Sequence, residues 1–90
     1  MTRNNQEIAL LSMDLKRVAL ALYRNSGNTA RLFTKEALRR KDVIDGRSVK
    51  PYLGKFLEKL PAILAQKDKK KTAEDALMYS VIFQNYSLHN

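Results

Sequence analysis

The chain has 90 residues, no cysteine and a formal charge of +8, from 17 Lys or Arg against 9 Asp or Glu. That length holds one domain, residues 1–90, and leaves no room for a second, while an apolar content of 44% is enough to build a core and argues against a disordered chain. The lack of cysteine excludes a disulfide framework, a thiol nucleophile and a cysteine-ligated zinc site, which makes a reducing cytoplasm the expected compartment.

Near the N-terminus an apolar stretch begins at Ile8, but Asp14, Lys16 and Arg17 interrupt it before a secretory segment or a membrane span could form, so no membrane role is expected. Ile8, Leu11, Leu15, Val18 and Leu22 follow one another at spacings of three and four, which predicts a helix from about Asn5 to Arg24. Leu10, Met13 and Leu20 widen its apolar face, and Glu7, Asp14, Arg17 and Arg24 are assigned to the opposite, polar side.

The segment Asn25-Ser26-Gly27-Asn28-Thr29 reads as a turn, with Gly27 as the residue of positive φ and Asn28 as the cap of a second helix. That helix is thinner in apolar content, with Ala30, Phe33, Ala37 and Ile44 on one stripe, Leu38 beside it, and Gly46 as its stop. Arg31, Lys35 and Arg39 recur every four residues and form a row with Arg40 and Lys41 at its end. Residues 24 to 59 hold ten Lys or Arg against four acidic residues, a net of +6, so Arg31, Lys35, Arg39 and Arg40 are the candidate polyanion contact. The competing reading is an ordinary solvated face, because Glu36 precedes Arg39 and Arg40 by three and four residues and Lys41 precedes Asp45 by four. A row of Lys and Arg suits phosphate backbones better than base edges, so nucleic acid is the alternative partner rather than the first.

Ser48 is the expected cap of a third helix, with Pro51 tolerated in its first turn. Val49, Leu53, Phe56, Leu60 and Ile63 supply its stripe, with Tyr52, Leu57 and Leu64 alongside. Pro61 removes one helical hydrogen bond, which predicts a kink or break near Leu60 and a short extra turn to Gln66. Lys67 to Lys71 reads as a polar connector, and Thr72 with Asp75 resembles a capping box that opens a fourth helix. From Ala76 to Asn90 no residue is charged. One wide apolar face holds Ala73, Ala76, Leu77, Ser80, Val81 and Ile82, and Met78, Tyr79, Phe83 and Tyr86 fall elsewhere, so these four are the candidate oligomer interface.

The chemistry for catalysis is thin. His89 is the one histidine and lies at the C-terminal end, the glycines at 27, 46 and 54 are isolated, and neither Asp42 with Asp45 nor Glu74 with Asp75 reads as an acid and base couple. No metal and no cofactor is expected, and Tyr23, Tyr52, Tyr79 and Tyr86 are assigned to packing rather than base stacking. The expected architecture is an all-α, up-down bundle of four helices, and the expected role is that of a small non-enzymatic interaction or regulatory protein working through helical surfaces as a homodimer.

Overall fold

The computed structural model describes residues 3–89. Four helices follow in order, α1 Arg3–Tyr23, α2 Gly27–Val43, α3 Pro51–Leu64 and α4 Lys69–His89, with no strand among the described residues. A helix rises about 1.5 Å per residue. The 21 residues of α1 and of α4 therefore each span nearly the whole 35 Å length of the molecule. Chain neighbours run antiparallel. Asn4 at the start of α1 exchanges two hydrogen bonds with the backbone of Asp45 after α2, and the Tyr86 hydroxyl near the end of α4 accepts from the Lys50 amide ahead of α3.

The α1 stripe forms the centre of the core: Ile8, Leu11, Leu15 and Val18 are fully buried. On α3 the buried row is Leu53, Leu57, Leu60 and Leu64, so the face is turned one residue from the expected one, and Phe56 and Ile63 pack only half-buried on its edge. Phe56 keeps an edge-on contact with Tyr79, ring centres 5.1 Å apart. α3 runs through Pro61 without a break and ends at Leu64, so the extra turn expected after the proline is the last turn of the same helix.

The turns differ in detail from expectation. At the end of α1 the residue of positive φ is Asn25, at 56°, not Gly27. The Ser26 amide bonds to the Ala21 carbonyl and the Asn25 amide to that of Leu22, the paired closure in which asparagine substitutes for glycine. Gly27 already belongs to α2, whose cap position is Ser26, and Asn28 instead accepts a hydrogen bond from the Arg31 guanidinium. α3 is preceded by Lys50 rather than capped by Ser48, whose hydroxyl donates to Asp45. α4 starts one turn earlier than Thr72: the Asp68 carboxylate accepts from the amides of Lys70 and Lys71, while Thr72 is buried and donates to the Gln66 and Asp68 carbonyls. The competing cap wins because an aspartate at that position satisfies two otherwise orphaned amides of the first turn.

Asp75, freed from capping, accepts from the Gln66 side-chain amide at 3.0 Å and from Lys71 Nζ at 3.2 Å. The amide hydrogen bond, with the Lys71 charge, holds its carboxyl below the ordinary value against the opposing effect of burial. A depressed carboxylate contributes stability above its unfolded pKa, near 4, that is lost as the pH falls through the folded value. Melting curves followed by circular dichroism between about pH 2 and 5 should thus fall less steeply for Asp75→Asn than for the parent, and parallel curves would contradict the linkage.

The α1–α4 seam is built from small residues. α1 packs only on α2 and α4, most extensively on α4. Asp14 and Glu7 face α2 through Arg40, so the buried Ser12 and Ala19, on the other flank of α1, face α4. On α4, Tyr79, Tyr86 and Asp75 face α3, which leaves Ala73, Ala76, Ser80 and Ser87 toward α1. Ser12, Ser80 and Ser87 return their hydroxyls to carbonyls three residues earlier in their own helix, so three buried polar groups are satisfied without holding the helices apart.

Asp14 corrects the polar side assigned to α1. It is 4% exposed and its Oδ2 accepts from Arg40 Nε at 2.9 Å, while the Arg40 Nη1 reaches Glu7 at 3.0 Å. Burial opposes the Arg40 charge, but the hydrogen bonds to Asp14 and Glu7 outweigh it and hold the guanidinium above its ordinary value.

Candidate functional site

The basic row on α2 divides by partner. At about 100° per residue, Arg31, Lys35 and Arg39 lie within about 80° of one another on one side of the helix, and Arg40 lies about 100° beyond Arg39. Arg39 binds Glu36 at 2.8 Å, and this hydrogen bond, with the attraction of the same guanidinium, holds the exposed Glu36 carboxyl below its ordinary value. Arg40 is committed to Asp14 and Glu7 inside the α1–α2 contact. Of the four candidate polyanion residues, Arg31 and Lys35 are therefore the two with no carboxylate within 4 Å among the described residues.

Those two residues stand at the rim of a cleft of 540 Å³. α2 buries only Ala30 and Ala37 and touches α3 weakly, so the bundle gapes along the inner side of α2. Leu22 from the end of α1, Leu38 of α2 and Leu64 from the end of α3 line its apolar part, and Lys69 at the start of α4 adds a third cation to Arg31 and Lys35. Lys69 Nζ donates to the Gln66 carbonyl at 2.9 Å and has no carboxylate partner among the described residues. The sequence alone places Lys69 in a polar connector, and the start of α4 at Lys69 reveals its place. The α4 amides themselves are not open to an anion, because Asp68 occupies them.

A second feature lies across the molecule, on the outer side of the α1–α4 pair. Except for Ala73, which Glu74 follows, each of these buried small residues of the seam is followed by an exposed apolar one, about 100° further round and hence on the outer surface. Met13 follows Ser12, Leu20 follows Ala19, Leu77 follows Ala76, Val81 follows Ser80 and Leu88 follows Ser87. These five side chains are between 38% and 63% exposed. Because both helices turn outward past the seam that joins them, the five share one face, together with Lys16 and Glu74.

The expected interface on α4 is corrected by this arrangement. Tyr79, Phe83 and Tyr86 are 5%, 0% and 6% exposed and belong to the core, where burial, and then the nearby Asp75 charge, push the Tyr79 phenol up. Met78 alone of the four is exposed, and of the wide apolar face Leu77 and Val81 are also outside. Tyr23 and Tyr52 are also exposed. His89 is exposed in the last turn of α4, and no group of three or more His, Asp or Glu among the described residues could hold a metal ion. No described helix is long and apolar enough to cross a membrane.

Comparison with protein-family models, with curated proteins and with solved structures finds no match in any of the three.

Proposed function

We propose that the chain is a non-enzymatic interaction protein that acts as a homodimer in the cytoplasm, with a second copy seated on the outer α1–α4 face. The observation that carries this reading is the row of Met13, Leu20, Leu77, Val81 and Leu88 on one surface of two packed helices. A face about as long and wide as the molecule, 35 Å by 20 Å, approaches the roughly 800 Å² per partner that a standard interface buries. Charge selects the same surface. Two copies of +8 repel, and α4 from Ala76 onward carries no charged side chain, so approach there is least opposed. A non-catalytic role is supported by five of the nine carboxylates: Asp14 and Glu7 serve Arg40, Glu36 serves Arg39, Asp68 caps α4 and Asp75 ties Gln66 to Lys71.

Val81→Glu puts a charge in the middle of this face at a site 49% exposed, so it should leave the fold within about 0.5 kcal/mol of the parent. Light scattering should then give the single-chain mass at concentrations where the parent gives twice that mass. A variant that keeps the doubled mass would rule out this face. The alternative reading, a nucleic-acid-binding protein with Arg31, Lys35, Arg39 and Arg40 on phosphates, draws less support from the geometry, since Arg39 and Arg40 already hold carboxylates.

A further inference from the structure

We propose that the cleft between α2 and the α3–α4 corner binds a small amphipathic anion, a hydrocarbon group carrying a carboxylate or phosphate at one end. The proposal is independent of the dimer, whose face lies on the far side of the α1–α4 pair. Three observations support it. The 540 Å³ volume falls within the roughly 300–1,000 Å³ typical of small-molecule sites. Leu22 and Leu38, both partly buried against the core, and the buried Leu64 line its apolar wall. Arg31, Lys35 and Lys69 come from two different helices to the same rim, and none of the three forms an ion pair among the described residues.

Cations without an ion pair beside partly buried leucines favour neither a purely apolar ligand nor a bare anion. A bare anion would gain the charge but leave the leucines wet, and a neutral hydrocarbon would gain the leucines but leave the cations unused. A ligand with both parts gains both. Its tail lies on Leu38 and Leu64, and its head sits among Arg31, Lys35 and Lys69. The Arg31 guanidinium now donates to Asn28 and Lys69 to the Gln66 carbonyl, both neutral acceptors that a charged head group displaces at a gain.

Isothermal titration calorimetry on the full chain tests this with octyl phosphate and octanoate as probes, octanol and inorganic phosphate as controls, and circular dichroism as the check of fold. Octyl phosphate or octanoate should bind at least about tenfold more tightly than either control, and the ratio of the two identifies the head group. Arg31→Ala with Lys35→Ala, both at exposed positions, should weaken the better probe at least about tenfold. Thr34→Trp, which places an indole in the cleft, should abolish binding without loss of helicity. Octanol binding as tightly as octyl phosphate, inorganic phosphate binding as tightly, no binding of any probe, or binding untouched by both variants would each overturn the proposal. So would loss of double-stranded DNA binding in the Arg31, Lys35 variant when the amphipathic probes do not bind at all, because the two cations would then serve a polyanion.

Discussion

Phe83→Ala is expected to destabilise the protein by about 3–5 kcal/mol. Phe83 is the largest fully buried side chain, with its ring edge-on to Tyr79 at 6.1 Å and the α1 stripe beside it. Its removal leaves a cavity among leucines on neighbouring helices, which cannot close without moving α4 along its close seam with α1. A domain of this size has only about 5–15 kcal/mol in total, so urea denaturation should show a midpoint shifted far toward zero. Met78→Ala, five positions earlier on the same helix but half exposed, should change stability by no more than about 0.5 kcal/mol. Equal losses at the two positions would mean that α4 is rotated from the orientation described.

The second large effect is at Arg40. Replacement by methionine leaves the Asp14 carboxylate 4% exposed beside Glu7, with the Arg17 guanidinium at 3.7 Å as its remaining counter-charge. Removing one member of a buried pair costs about 3–5 kcal/mol because the other charge stays behind. Asp14→Leu should cost less, since Arg40 keeps Glu7 and its side chain is 18% exposed. The double variant Asp14→Leu, Arg40→Met removes both charges, and its stability should return to near that of the parent. Chemical denaturation of the three proteins at low and high salt checks this. A double variant as unstable as Arg40→Met alone would show that the pair supplies net stability of its own.

Much of the fold is written in the spacing of residues. The stripe from Ile8 to Val18 names the centre of the core because every member sits at three or four from the next, and α1 has a polar side that can take water. The buried position of Asp14 is legible in the spacing too. It is three residues after Leu11 and four before Val18, on the edge of the stripe rather than opposite it. On α4 periodicity selects no face, because apolar residues surround the helix. Side-chain size selects it instead: the serines and alanines go to the close seam with α1, and the large rings go to the wider space against α3. The basic row is legible as a row, but not its division by partner, because Arg40 is taken up by Asp14 and Glu7 only once α1 packs on α2. Lys69 could not be found from spacing alone, because its place at the cleft follows from the cap at Asp68.

Light scattering of the full chain across a salt series tests the central claim, that a second copy covers the outer α1–α4 face, most directly. The interface is apolar and the charges of the two copies repel, so added salt screens the repulsion and favours association, whereas contact with a polyanion weakens as salt rises. The predicted result is twice the single-chain mass, held or strengthened as salt increases, with Val81→Glu folded and of single-chain mass throughout. A parent protein of single-chain mass at every concentration and salt, or a doubled mass that Val81→Glu leaves unchanged, would contradict it.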